Sequence, residues 1–374
     1  MNVIVYAIAS RSGGALSVLS DFYKEVTENA DKYKDITWYF TLSTQNFDET
    51  ENVKIIKNEW AIKTWFHRAY FNLVTVNKII KKHNIKAIVS LQNMRVMGTK
   101  VPNIVCLHNV LPLYKCDARI LDNIKQRMKQ MLVNQGIVNS LKKAYRVMVA
   151  SQWIKDELIE QFGIKEKQVV VSPLIIPEAG EKLVELGDMG RKDGKKVSFF
   201  YPASAFPYKN HMVVLKACKI LKEKYNKQFD VEFTIEANQG KTAAQLYEYA
   251  TQYELPVSFV GNLPREVVLQ AYLNKVLLFP SKIENDAMPL IECIQYNGYV
   301  LAADLPYAKD VLDAYPNKKY FGADDAESLA LYMKELIENG IVKDETVTKV
   351  TKQKDMSRPE KVAMVLRELE KEYM

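Results

Sequence analysis

With 374 residues the chain is long enough for two domains with full cores, and its 48% hydrophobic and 26% charged content is that of an ordinary globular protein, which excludes a low-complexity or disordered chain. No apolar run approaches the roughly 20 residues of a membrane span, and Met1–Ala9 lacks the basic leader of a signal peptide, so a cytoplasmic protein is expected. Charge is uneven: residues 51–150 carry 18 Lys/Arg against 4 Asp/Glu, a net of +14 in a chain of +7, which suggests an acidic partner or an anionic surface for that part.

In chain order, short apolar runs predict strands at Val3–Ala9, Ile36–Leu42, Ala87–Leu91, Ile104–Leu107 and Val147–Ala150. A second set follows at Val197–Tyr201, Val231–Glu236, Val257–Val260, Val276–Phe279 and Val300–Ala302. Helical patterns lie between them at Gly14–Ala30, Phe66–His83, Asn123–Ala144, Gln152–Phe162, Met212–Tyr225, Ala243–Tyr253, Glu266–Asn274 and Ala326–Glu338. Such alternation predicts an α/β fold of parallel sheets covered by helices on both faces. The Pro-bounded Ser172–Pro177 and the charged Glu178–Lys196 read as a linker. The expectation is two doubly wound Rossmann-like domains facing a cleft, over residues 1–172 and 173–358. A closing helix over 359–374 has no strand after it and is expected to return to the first domain. Cys106, Cys116, Cys218 and Cys293 form no metal or redox spacing, which points to reduced thiols.

Ligands of doubly wound sheets bind beyond the carboxyl ends of the strands, and five segments sit there. Gly13 and Gly14 follow the first strand and let backbone approach a ligand. His108 follows the fourth; a lone histidine of this kind is more often a structural hydrogen-bonding residue. Tyr201–His211 supplies Ser204 and Lys209, a hydroxyl and a point charge suited to a diphosphate. Gly261 and Asn262 allow close approach of a base or ribose, although a plain Gly-Asn turn has the same appearance.

The fifth segment, Ser281–Glu292, is the most informative. It follows the apolar run Val276–Pro280, places Glu284 in a loop, and has Pro289 where a helix begins. The free N–H groups of that helix start, near Met288 and Leu290, suit a diphosphate, while Glu284 and Glu292 can accept hydroxyl hydrogen bonds from sugar or ribose. An acidic helix start without a ligand reads the same way in isolation.

In this ordered set the chain resembles the retaining glycosyltransferases of family four, which have the GT-B fold. Ser151–Phe162 with Val169–Pro173 resembles the family's pre-hinge region, Tyr201–His211 its phosphate loop with Lys209 as the lysine, and Val257–Gly261 its nucleotide-side turn. Phe279 through Glu292 is similar to its E-x7-E signature, and Gly298–Asp304 follows in step. Two departures stand out. The usual Glu-Gly-Phe-Gly-Leu-Pro reads Glu284-Asn-Asp-Ala-Met-Pro289, and the arginine often found before the lysine is absent from Ala203-Ser204-Ala205.

The resemblance implies a hexosyltransferase moving a sugar from a nucleotide-diphosphate-sugar to a hydroxyl of a glycan or lipid-linked acceptor, with retention, in surface polysaccharide synthesis. Glu284, Lys209 and His108 would carry catalysis. Ser204, Lys209, Gly261, Asn262, Met288, Leu290 and Glu292 would bind the donor, and Gly13, Gly14, Gln92 and Asn93 would form the acceptor side. No metal or other cofactor is expected, since no strand is followed by a DxD-type pair. Other readings stay open: a sugar-nucleotide epimerase or phosphorylase of the same architecture, or a non-catalytic glycan-binding relative. A nucleic-acid binder lacks any recognised motif. The basic segment predicts peripheral attachment to an anionic membrane face, through Ile120–Lys143 and through Trp60, Trp65 and Phe66 near Lys63 and Arg68.

Overall fold

The computed structural model describes residues 1–11, 13–44, 46–114, 124–172, 197–343 and 361–373. They form two compact units, one from residues 1–114, 124–172 and 361–373 and one from residues 197–343. The predicted linker at 178–196 lies outside the described residues, as does Cys116.

The first unit holds a seven-stranded sheet: β1 (Asn2–Tyr6), β2 (Thr37–Leu42), β3 (Val53–Lys57), β4 (Ala87–Ser90), β5 (Asn103–Cys106), β6 (Arg146–Val149) and β7 (Val169–Val171). All its pairings are parallel, in the order β3-β2-β1-β4-β5-β6-β7. Helices α1 (Gly13–Glu28), α2 (Trp65–Tyr70), α3 (Val76–Lys82), α4 (Ile124–Lys142) and α5 (Gln152–Phe162) connect them. A π turn at Phe71–Thr75 joins α2 to α3, so one predicted helix is three segments.

The second unit holds six parallel strands: β8 (Ser198–Tyr201), β9 (Asp230–Phe233), β10 (Val257–Phe259), β11 (Val276–Phe279), β12 (Tyr299–Ala303) and β13 (Lys318–Phe321). Their order is β10-β9-β8-β11-β12-β13. Its helices are α6 (His211–Glu223), α7 (Lys241–Gln252), α8 (Arg265–Asn274), α9 (Met288–Gln295), α10 (Pro306–Leu312) and α11 (Ala326–Asn339). Central strands such as Val276–Phe279 are buried along their whole length, because helices cover both faces.

The last helix, α12 (Lys361–Tyr373), packs on the first unit although it follows the second in sequence. Val362, Val365 and Leu369 are buried in the core that contains Leu19, Phe22 and Trp38. Burying each such side chain stabilises by roughly 1.5–3 kcal/mol. Arg146 Nε also meets Glu368 Oε2 at 2.7 Å, which fixes the helix against β6.

Both sheets have the doubly wound order in which strand sequence reverses beside the first strand. The reversal falls between β1 and β4 in one unit and between β8 and β11 in the other. Connections leave on opposite faces there and open a crevice where ligands bind.

Candidate functional site

At the second unit's reversal, two loops are laced together. Lys282 N donates to Tyr208 O at 2.8 Å, and the Tyr201 hydroxyl donates to Lys209 O at 2.9 Å. Asn210 adopts a left-handed backbone (φ 58°) and reaches Ala323 O at 2.7 Å with its side-chain amide. These bonds hold Lys209, which closes the short turn Pro207–Lys209, over the end of β11. Its ammonium meets Glu284 Oε1 at 2.6 Å, and both side chains are largely buried. Residues 75 apart in sequence therefore converge at the crevice. Burial and then the Glu284 charge push the Tyr208 phenol above its usual range. Ser204 is exposed on the same loop.

Below this loop His211 starts α6 and is 2% exposed, with its ring 4.6 Å from that of Tyr201 and 4.9 Å from that of Phe233. Burial drives its pKa down to about 3, with the Ala203 carbonyl opposing the fall and Lys209 adding to it. His211 is thus a neutral support of the Lys209 loop.

Glu292 projects from α9 and is only 5% exposed. Of the two carboxylates expected to accept ligand hydroxyls, Glu292 is also held by the protein's own side chains. The Tyr272 hydroxyl donates to its Oε2 at 3.2 Å, and Arg265 Nη2 meets its Oε1 at 2.8 Å. Burial and the Glu292 charge push the Tyr272 phenol far up, so it remains a donor. Arg265 was missed in the sequence because no motif contains it. The available signal was position: it opens α8 directly after the turn at Gly261 and Asn262. Its side chain is 57% exposed and can swing into solvent.

Gly261 has φ +71°, a backbone conformation that favours glycine; a Cβ there would lie 2.8 Å from Glu236 Oε1, the end of an exposed side chain that can turn away. Asn262 beside it is exposed. Asn285 and Ala287 stand where the resembled family usually has glycine. Ala287, in the second of those positions, keeps a left-handed backbone (φ 43°) as the residue before α9, which costs a residue with a Cβ roughly 1–2 kcal/mol. Met288 and Pro289 open α9, and Leu290 N donates to Ala287 O at 2.8 Å.

In the first unit Gln92 sits at the reversal. Its Oε1 accepts from Ala9 N at 3.0 Å and from Arg68 Nη2. Asn93, also left-handed (φ 64°), accepts with Oδ1 from His108 N at 2.6 Å and Asn109 N at 2.9 Å. Asn93 thus ties the loop after β4 to the loop after β5, and His108 is held by its backbone. Gly13 and Gly14 are the first residues of α1. The structure brings Gln92, Asn93 and His108 together at one end of this sheet, and Lys209 and Glu284 together at the end of the other. Among the described residues no cluster of three His, Cys, Asp or Glu side chains has the arrangement of a metal site.

Residues 188–354 match the family model described as Glycosyl transferases group 1. No curated protein sequence matches the chain. The whole fold is similar to the sucrose-phosphate synthase (tll1590) of Thermosynechococcus elongatus, at 12% identity, 99% coverage of both chains and a TM-score of 0.69. It is similar to Alr3699/HepE of Anabaena in complex with UDP and glucose, at 14% identity, with 98% of this chain and 99% of that one covered and a TM-score of 0.64. It is also similar to WaaG, a glycosyltransferase involved in lipopolysaccharide biosynthesis, at 14% identity, with 97% and 98% covered and a TM-score of 0.64. The two parallel-sheet units therefore have the GT-B glycosyltransferase fold, and the second carries the group 1 glycosyl transferase match.

Proposed function

We propose that the chain is a glycosyltransferase that moves a sugar from a nucleotide-diphosphate-sugar to a hydroxyl of a glycan or glycolipid, with retention of configuration, in surface polysaccharide synthesis. The observation that carries this reading is the Lys209–Glu284 contact at the β8–β11 reversal. Without donor the two charges neutralise each other. A bound diphosphate would take Lys209, and stabilising the charge that develops on a departing group is what lowers the barrier most in such catalysis. Glu284 would then be released to hydroxyls of the transferred sugar. Glu292 would take ribose hydroxyls as Arg265 swings aside. No metal is needed in this scheme, because Lys209 and the start of α9 supply the positive potential. The Anabaena structure, which holds UDP and glucose in the same fold, supports a nucleotide-sugar donor.

Peripheral attachment to an anionic leaflet belongs to the same proposal. Trp65 and Phe66 on α2 are 74% and 76% exposed beside the exposed Lys63. Two residues predicted for that surface turn inward: Trp60 packs on Phe71, and Arg68 faces Gln92. The side chains of residues 120–127 lie outside the described residues.

Titration calorimetry with UDP, GDP and dTDP, paired with a transfer assay in chelator, tests the assignment. Glu292→Gln, which keeps an acceptor for Tyr272, should weaken nucleoside diphosphate binding about tenfold or more, the worth of a hydrogen bond to a charged group. Glu284→Gln should leave that affinity nearly intact and slow transfer by a similar factor. Equal nucleotide affinity and turnover in both variants and the parent would reduce the segment to an acidic helix start. Transfer lost in chelator and restored by Mg²⁺ would overturn metal independence.

A further inference from the structure

Among the described residues, the first unit's reversal holds positive charge with no carboxylate paired to it. Arg68 points from α2 toward the sheet, donates to Gln92 Oε1 and lies beside the buried phenol of Tyr6. Burial pushes the guanidinium's pKa down; Tyr6 opposes the fall and the positive charge of Arg11 adds to it. Neither Arg68 nor Arg11 forms an ion pair with a carboxylate among the described residues. The sequence explains why. Residues 1–20 and 60–116 contain no Asp or Glu, and these segments supply β1, the start of α1, α2 and β4, which surround the point. Arg68 is half-buried, and its guanidinium, with neutral partners and the exposed Arg11 as a second cation nearby, is costly to keep there unless an anion completes it.

We propose that this point binds a phosphate group of the acceptor, gripped by Arg68 and Arg11. An arginine fork matches phosphate oxygens in two parallel hydrogen bonds. Gln92 holds the fork in place through its carbonyl oxygen, which the Ala9 amide fixes in turn at 3.0 Å. The site lies where a doubly wound sheet receives ligands, and α1 opens on the same side with no acidic residue in its first turn. Only the word acceptor rests on the transferase reading; the phosphate site stands without it.

The test uses the full chain with Arg68→Gln, Arg68→Lys and Arg11→Gln variants. Glucose 6-phosphate, glucose, and a short-chain phosphatidic acid below its micelle concentration are titrated at low salt. Glucose 6-phosphate or phosphatidic acid should bind and glucose should not; the arm that binds identifies the source of the phosphate as sugar or lipid. Arg68→Gln should weaken binding about tenfold to a hundredfold, and Arg68→Lys by less, since it keeps the charge without the fork. Arg11→Gln should weaken it about threefold or more. Thermal unfolding supplies a readout that a merely structural arginine would not give. Without phosphate, Arg68→Gln should melt no lower than the parent, because an unmatched, half-buried charge is removed. The phosphate ligand should raise the parent's melting temperature and not the variant's. A parent that binds no phosphate ligand, or an Arg68→Gln protein that binds as the parent does, overturns the site. Nucleoside diphosphate affinity should be the same in all variants; its absence in every one of them would fail the transferase reading and leave the phosphate site standing.

Discussion

Two crevices of the same topology carry opposite electrostatics. At the β8–β11 reversal each cation has a carboxylate within contact distance: Lys209 with Glu284 at 2.6 Å and Arg265 with Glu292 at 2.8 Å. At the β1–β4 reversal Arg68 has a neutral amide and a phenol. The strand order around each crevice is alike, and the two differ in the side chains they present. The paired site is balanced when empty and must exchange partners to bind a donor. The unpaired site gains most when an anion arrives. A paired site suits a ligand bringing both a diphosphate for the cation and hydroxyls for the carboxylate.

The largest effect expected from this contrast is at Lys209. Lys209→Ala removes the cation that meets the diphosphate and strands Glu284, which is 10% exposed at its side chain. Transfer should fall about a hundredfold to a thousandfold, the usual cost of losing one charge-stabilising donor. Nucleoside diphosphate binding measured by calorimetry should fall with it. Transfer that survives in Lys209→Ala would mean that the pair is structural and would erase the contrast.

A smaller effect is expected at the first unit's surface, where Lys63 is exposed beside Trp65 and Phe66. The Trp65→Ser/Phe66→Ser variant touches two exposed side chains, so folding should be unaffected. Sedimentation with phosphatidylcholine and with one-to-one phosphatidylcholine–phosphatidylglycerol vesicles should show the parent binding the anionic vesicles, and the variant about tenfold more weakly. Trp65 fluorescence should shift to the blue on binding, since Trp38 and Trp153 are already buried. Equal sedimentation with both vesicles at low salt would remove the membrane from the proposal.

The central strands were legible in the sequence because each is a continuous apolar run. Three strands were not: Val53–Lys57, Val169–Val171 and Lys318–Phe321. All three are sheet edges. Two of them carry lysines, Lys54 and Lys57 in one and Lys318 and Lys319 in the other, which breaks the apolar pattern. The third is only 3 residues long, too short to register as an element. At the site, Lys209, Glu284 and Glu292 could be found from local motif spacing. Arg265 and Arg68 could not, because their significance lies in partners 27 and 24 positions away, Glu292 and Gln92, and contacts at such range appear only in three dimensions. Gln92 and Asn93 were expected on the acceptor side, and the structure adds that their side chains bind the protein's own backbone.

The smallest effect concerns how the second crevice excludes an unpaired cation. His211 lies under the Lys209 loop with its pKa lowered to about 3, so the folded chain keeps it neutral. Unfolded, it has an ordinary value near 6.5. Between those values the unfolded chain binds the extra proton, so stability falls as pH falls. The contribution is fully present above the unfolded value and is lost progressively on acidification toward about 3. From pH 6.5 to 5.5 the loss should be about 1 kcal/mol. His211→Phe, which keeps a ring between Tyr201 and Phe233, should flatten that slope whatever it does to absolute stability. Urea unfolding of both proteins at the two pH values measures it. Parallel slopes would show that the folded chain accommodates a protonated His211 beside Lys209, and that the second crevice does not require its cations to be paired.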